Sequence, residues 1–469
     1  RLAASLGRLF PGSGPDDQRL AALAAAAKPF CVISGGPGTG KTSTVVKVLA
    51  LLVEQRLGDP PRIALAAPTG KAAARLMGSI RAARDALPCS AAVRGAIPAE
   101  VSTVHRLLGA IPGSPRFRHN PENPLPHDVV VVDEASMVAL PLMARLVDAL
   151  APGARLVLVG DHRQLASVEA GAVLGDLCGS GRVRGFSPRF AALVARVTGA
   201  PLPGPVAEEG LPDAIVVLQQ NYRFGPASGI GAVSRALWDD PAAALQLLIA
   251  GAHPDVGWTD APAPGALPGA LAGAVLDGYG PVVGAAGPAE ALEAFGRFQL
   301  LCALRGGPYG VEGLNRLAEG VLAREGRIEP RGGWYRGRPV LVTRNDYGVG
   351  LFNGDVGIAW PDPARGGELG VFFPAPDGAL RSVAPGRVPS HDTAYAMTVH
   401  KSQGSEFHRV LLVLPDRDSE VLTRELLYTG LTRARSEVRV WGRREVFARA
   451  AARRTVRPSG LGEKVWGPG

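Results

Sequence analysis

Apolar positions in the first half of the chain gather into short unbroken runs. Phe30–Ser34 (FCVIS), Ile63–Ala67 (IALAA), Val129–Asp133 (VVVVD) and Leu156–Gly160 (LVLVG) have strand length and lack polar alternation. A polar turn follows each run, and then helical spacing, as in Gly40–Gln55, Gly70–Ala86 and Leu140–Leu150. Strands apolar on both sides are buried on both faces, so the pattern predicts a parallel sheet between two helical layers. Gly109–Asp128 interrupts it with five prolines and reads as a small surface insertion. Gly199–Pro212, rich in Pro and Gly, reads as a hinge, and strand-like runs resume at Ala214–Leu218 and Phe298–Leu304. From about 333 to 390 the texture becomes brief β-type runs (Pro339–Val342, Asp355–Trp360, Gly370–Phe373) set between Gly, Pro and Asp, as in a small β-barrel or curled sheet. Helix–strand alternation returns from Thr398 to about Ala452, and the tail after Pro458 is expected to be loose. The predicted fold is α/β in two domains, 1–205 and 206–469, with the β-barrel inserted in the second.

Composition narrows the class. At 469 residues, 46% hydrophobic and 20% charged, the chain is globular and too long for one ordinary core. The longest apolar stretches fall far short of the ~20 residues that span a bilayer, and no basic start leads into an apolar core with a small-residue cleavage site, so neither a membrane partner nor secretion is expected. Four cysteines (Cys31, Cys89, Cys178, Cys302) without a C-x-x-C pair argue against a zinc ribbon or disulfide framework and fit a reducing, cytoplasmic setting. A net charge of +9 is compatible with a polyanionic partner, or with a bias towards arginine alone. Only six of the 51 basic residues are lysine, and three of these, Lys41, Lys71 and Lys401, fall inside the motifs below.

The sharpest motif is GGPGTGKT, Gly35–Thr42, directly after the strand FCVIS and opening a helix. It fits G-x-x-x-x-G-K-[ST], a loop whose backbone N–H groups cradle phosphates at a helix N-terminus. Lys41 would reach the β- and γ-phosphates of ATP and the Thr42 hydroxyl would hold Mg²⁺. The run VVVV delivers Asp133 and Glu134 at its carboxyl end, where Asp133 would complete the Mg²⁺ shell and Glu134 would orient or deprotonate water. GDHRQL follows the next strand. Its Gln164 would sense the γ-phosphate, while His162 reads as an ordinary loop histidine. Gln18 precedes the P-loop strand, either as a surface residue or as a reader of the adenine edge. Arg223 in QNYRF and Arg433 in YTGLTRAR are either surface ion-pair arginines or arginines brought from a neighbouring domain to the transferring phosphoryl group.

In order along the chain stand GGPGTGKT, APTGKAAARL (Ala67–Leu76), STVHRLLG (Ser102–Gly109), VVDEASMV (Val131–Val138), LVGDHRQLASVEAG (Leu158–Gly171), QNYRF (Gln220–Phe224), TRNDYGVGLFNGDVG (Thr343–Gly357), AMTVHKSQGSEF (Ala396–Phe407) and YTGLTRAR (Tyr428–Arg435). This set resembles the RecD family, the alpha subunit of exodeoxyribonuclease V, a superfamily 1 helicase. The resemblance implies two RecA-like P-loop motor domains with a small β-barrel insertion in the second. It implies ATP and Mg²⁺ as cofactors, 5′→3′ movement on single-stranded DNA from duplex ends, and RecB and RecC as partners in double-strand break repair. By it, Gly35, Gly36, Pro37, Gly38, Thr39 and Gly40 surround the phosphates, Gln18 contacts adenine and Glu406 approaches the ribose. Lys41, Glu134, Gln164, Arg223 and Arg433 take the hydrolytic roles, with Thr42 and Asp133 on the metal. Thr69, Lys71 and His105 in the first domain, and Asn353, Thr398, His400, Lys401 and Gln403 in the second, touch the strand.

Seventeen residues precede Gln18, so the family's N-terminal docking domain is expected to be absent from this chain. That leaves room for a stand-alone RecD-like helicase independent of RecB and RecC. Tyr347, Phe352, Tyr395 and Phe407 lie in the motif blocks, either as stacking platforms for bases or as core residues. No ordered carboxylate–lysine set marks a nuclease, which any such activity would have to draw from a partner.

Overall fold

The computed structural model describes the chain except for residues 13–15, 168, 170, 180–184, 203–210, 331–332, 347, 376–377, 456, 458 and 468–469. It divides into two compact units, Arg1–Arg223 with Val456–Gly469, and Phe224–Thr455.

The first unit is built on β1 (Phe30–Gly35), β2 (Ile63–Ala67), β3 (Ser102–Thr103), β4 (Val129–Val132), β5 (Arg155–Gly160) and β6 (Ile215–Leu218). They form one parallel sheet in the order β3-β2-β4-β5-β1-β6. Its strands alternate faces residue by residue. Cys31, Ile33, Leu65, Val131, Val157 and Val159 enter one apolar layer with helices Asp17–Ala27, Lys41–Gln55 and Pro188–Thr198. Val32, Ala64, Ala66, Val132, Leu156 and Leu158 enter the other, with helices Leu140–Asp148 and Val173–Cys178. Unbroken apolar runs therefore mean burial on both faces.

Two expectations are corrected here. The boundary lies after Arg223, not at 205/206, because Val32–Gly35 pairs in parallel register with Ile215–Leu218, making β6 an edge of the first sheet. The tail is not loose throughout: helix Leu461–Trp466 packs Leu461, Val465 and Trp466 against the second apolar layer of this unit. The hinge read at Gly199–Pro212 falls largely on residues 203–210, outside the described residues.

The second unit starts with β7 (Val256–Asp260) and β8 (Phe298–Cys302), then carries β9 (Pro339–Val342), β10 (Val356–Pro361), β11 (Leu369–Pro374), β12 (Leu380–Val383) and β13 (His391–Thr393), and ends with β14 (Ala396–Thr398), β15 (Phe407–Val413) and β16 (Ala434–Gly442). Its main sheet is parallel, in the order β14-β8-β15-β16-β7. The inserted sheet is antiparallel, β12-β11-β10-β9-β13, around a small core of Val340, Val342, Leu351, Val371 and Phe373. Among the described residues β12 and β13 are edges that do not pair with each other, so of the small β-barrel or curled sheet expected, these strands form an open sheet.

The segment Pro264–Gly284, with mean hydropathy 1.2, is long and apolar enough to cross a bilayer by composition alone. The sequence reading passed over it because Gly, Ala and Pro dilute its apolar residues. Its Leu271, Val275, Tyr279 and Val282 are buried in one apolar cluster with Phe298 and Leu300, so one face of the helix lies in the core of this unit.

Candidate functional site

Apart from Gln18, which lies on helix Asp17–Ala27 before β1, the proposed nucleotide residues of the first unit follow the carboxyl ends of its parallel strands, where α/β sheets present ligands. The loop after β1 is held open by its own side chains. Lys41 Nζ donates to the carbonyls of Gly35 (2.6 Å) and Gly36 (3.0 Å), and Thr39 Oγ1 donates to Gly36 O (2.8 Å). Gly38 and Gly40 adopt φ of +83° and +79°, the left-handed region, and Gly40 caps helix Lys41–Gln55. Thr42 is the second residue of that helix, half-buried, and a Cβ on Gly40 would lie 2.9 Å from Gln18 Nε2. Pro37 completes the loop, accepting from Asn221 Nδ2 (2.8 Å).

Arg223 belongs to this unit. A Cβ on Gly38 would meet Arg223 Cβ at 2.4 Å, and Tyr222 N donates to Gly38 O (2.8 Å). The sequence reading offered it as an arginine from a neighbouring domain. Because β6 lies beside β1, Asn221, Tyr222 and Arg223 instead pack on the P-loop of their own unit.

Asp133 and Glu134 close β4. Asp133 N donates to Ala66 O (2.9 Å) and Asp133 Oδ1 accepts from Glu134 N (2.9 Å). Burial pushes the Asp133 carboxyl up to about 6. The negative charge of Glu134 adds to this, while the Glu134 N–H and the charges of Lys41 and Arg75 oppose it. Glu134 holds φ +51° and ψ +37°, an uncommon conformation for a residue with a side chain, of the kind that clusters at functional sites. Gln164, buried, donates from Nε2 to Asp161 Oδ2 (3.1 Å). His162 Nδ1 lies 2.7 Å from Ser34 Oγ, which also accepts from His162 N (3.2 Å).

The strand residues of the first unit are less gathered. Thr69 Oγ1 accepts from Ala72 N (3.2 Å), capping helix Gly70–Asp85, whose second residue is Lys71. His105 is exposed on helix Val104–Leu108, its ring 6.0 Å from that of Phe117 in the small insertion.

In the second unit three predicted residues meet. Thr398 Oγ1 accepts from Lys401 N (3.2 Å), and Lys401 Nζ donates to Asn353 Oδ1 (2.8 Å) in the inserted segment. Burial, with the charge of Arg305, lowers the pKa of Lys401, against the pull of Asp392. His400 O accepts from Gln403 N (3.2 Å) in the same turn. Glu406 is engaged by Arg435 (3.0 Å), and buried Arg433 donates to the carbonyls of Thr429 (3.2 Å) and Ser405 (3.1 Å). The aromatic residues divide: Tyr395 and Phe407 are buried in the core and are not stacking platforms, Phe352 is half-buried, and Tyr347 lies outside the described residues.

Sequence reasoning passed over Asn221, Tyr222, Arg75 and Ser34. Asn221 and Tyr222 stood in QNYRF beside the arginine that drew attention. Ser34, the one polar residue in FCVIS, was a legible signal.

Residues 18–170 match the AAA domain family, and residues 393–441 match the UvrD-like helicase C-terminal domain family. With a P-loop sheet in one unit and a second parallel sheet in the other, these define a P-loop helicase of superfamily 1 with two RecA-like motor domains. The chain is 45% identical over 462 residues to RecBCD enzyme subunit RecD of Mycobacterium tuberculosis, covering 97% of this chain and 74% of that protein. It is 34% identical over 446 residues to the ATP-dependent RecD2 DNA helicase of Deinococcus radiodurans, covering 92% of this chain and 50% of that protein. The Pif1 helicase of Candida albicans is a similar solved structure, 16% identical with a TM-score of 0.46, covering 92% of this chain and 96% of that one. The chain belongs to the RecD family, and it is an ATP-dependent helicase.

Proposed function

We propose that this chain is the ATP-driven, 5′→3′ DNA motor of a RecBCD complex, moving on single-stranded DNA from duplex ends in the cytoplasm during double-strand break repair. One observation carries the nucleotide reading: Lys41, Glu134, Gln164 and Arg223 all follow the carboxyl ends of adjacent strands of one sheet, around a loop whose lysine rests on its own carbonyls. Phosphate oxygens would replace the carbonyls of Gly35 and Gly36 as partners of Lys41, while the N–H groups of residues 36–42 receive the rest of the chain of phosphates. Gln18, and the exposed face of Tyr222 beside Gly40, would hold the base.

The donors suit Mg²⁺: a threonine hydroxyl and a carboxylate whose proton affinity burial and Glu134 have raised, so that a hard dication relieves the repulsion. Thr42 and Asp133 would hold it, and bound there it would neutralise charge on the phosphates. Glu134 takes the proton of the attacking water, and Gln164 orients that water and registers loss of the γ-phosphate. Arg223 supports the charge of the transferring group, with Arg433 as the second guanidinium. Glu406 would approach the ribose on leaving Arg435. Thr69, Lys71 and His105, and separately Asn353, Thr398, His400, Lys401 and Gln403, would bind the strand, chiefly through its phosphates.

Lys41→Gln should reduce DNA-stimulated ATP hydrolysis by about a hundredfold or more while the melting temperature stays near wild type. Strand displacement on duplexes with a 5′ or a 3′ tail tests polarity, and unwinding from the 3′ tail alone would sink the reading. Assembly with RecB and RecC is tested by co-purification, where clean separation would favour a stand-alone RecD-like helicase.

A further inference from the structure

The γ-phosphate sensor is not anchored by its own loop alone. β1 and β5 are neighbours in register, Ser34 opposite Gly160, and the chain leaving β5 carries Asp161, His162 and Gln164 in succession. Ser34 is wholly buried, in a strand otherwise built of Phe, Cys, Val, Ile and Gly. Its hydroxyl accepts from His162 N–H (3.2 Å) and stands 2.7 Å from His162 Nδ1. With the neutral imidazole protonated on Nε2, Nδ1 accepts the hydroxyl proton of Ser34 while Ser34 Oγ accepts from His162 N. Asp161, also buried, accepts from Arg163 N (3.0 Å) and from Gln164 Nε2 (3.1 Å). On the other side of Ser34, the very next carbonyl, Gly35 O, accepts from Lys41 Nζ. A continuous run of contacts thus joins the phosphate-binding lysine to the sensor glutamine through Ser34 and His162.

We propose that Ser34 and His162 form a positioning pair for hydrolysis, fixing the Asp161–Gln164 loop to the P-loop strand so that Gln164 meets the γ-phosphate in one orientation. The pair touches neither phosphate nor water in this role, and it acts through Gln164. This rests on the nucleotide reading above. Loss of the pair frees the loop without removing any phosphate-binding group, so the step that needs Gln164 slows while nucleotide affinity holds.

The test is steady-state ATP hydrolysis by the full chain with saturating single-stranded DNA, on Ser34→Ala, His162→Ala, His162→Asn and the Ser34→Ala/His162→Ala double variant, with wild type and Lys41→Gln alongside. Ser34→Ala and His162→Ala should each lower kcat about tenfold and leave KM for ATP within about twofold. The double variant should lose no more than the worse single one, as expected of groups acting as a unit. His162→Asn, whose Oδ1 can accept from Ser34 where Nδ1 did, should recover most of the rate. Independent additive losses, a rise in KM at unchanged kcat, or His162→Asn as slow as His162→Ala would each overturn the proposal. Should Ser34→Ala fail to fold, the two His162 variants decide it. A wild type that hydrolyses no ATP, or a Lys41→Gln variant as active as wild type, would instead overturn the nucleotide reading. An active wild type matched by every Ser34 and His162 variant would overturn the pair alone.

Discussion

A methyl group on Gly38 would lie 2.4 Å from Arg223 Cβ and 2.8 Å from Asn221 Oδ1, on a backbone at φ +83°. Neither neighbour is the free end of a flexible chain, since Asn221 is tied to Pro37 O and to Arg223 N. Gly38→Ala should therefore displace QNYRF from the P-loop as well as strain the turn. ATP hydrolysis should fall by about tenfold or more, with a stability loss of about 1–2 kcal/mol from the left-handed backbone, read by kinetics and thermal melting. At this scale the P-loop lysine and the Asp133–Glu134 pair were legible because their residue types and spacing state their chemistry. The place of Arg223 was not legible, since it depends on which strand β6 pairs with.

At the scale of elements, local chemistry sets where helices begin. Helix Gly229–Asp239 starts with Ser228 accepting from Gly231 N, and Asp255 accepts from Ser228 Oγ (2.8 Å), Gly229 N (2.9 Å) and Ile230 N (3.2 Å). Burial alone would raise the Asp255 pKa, but these hydrogen bonds outweigh it and hold the carboxyl below its usual range. Asp255→Ala should cost about 2 kcal/mol, seen as a lower midpoint in urea. Since the folded pKa lies below the unfolded one, this contribution is present above the unfolded value and fades as pH falls through the folded value. Wild type and Asp255→Ala should thus converge in stability under acid, and a gap that persists there would refute the assignment. The four long apolar runs became β1, β2, β4 and β5 within a residue at each end, because burial on both faces writes itself as continuous hydrophobicity. β3 and β7 escaped: one is two residues long and the other, VGWTD, is half polar. Sheet pairing alone makes strands of them.

At the scale of the molecule the chain passes from the first unit to the second after Arg223 and rejoins the first after Thr455. The returning segment docks on the helix that follows the Asp161–Gln164 loop. Ser459 Oγ donates to Asp176 Oδ2, Trp466 Nε1 donates to Asp176 O (2.9 Å), and Leu461 and Val465 join the same apolar layer. Removing residues 459–469 should destabilise the first unit by about 3 kcal/mol, from the loss of two hydrogen bonds and part of three apolar side chains. Calorimetry should then show its transition about 5–10 °C lower. An unchanged transition would show that the docked tail contributes nothing.

The order of motifs, the parallel-sheet character of the first half and the residue types of the proposed nucleotide site were determined by the sequence itself, because periodicity, glycine placement and the P-loop lysine are local properties. Only the tertiary structure decided that β6, and with it Arg223, belongs to the first unit, that the inserted strands form an open sheet, that an apolar 21-residue stretch lays one face in the core of the second unit, and that the tail returns. Each of these turns on which distant segment a strand edge or an apolar face meets, and that choice is made by burial across the whole chain.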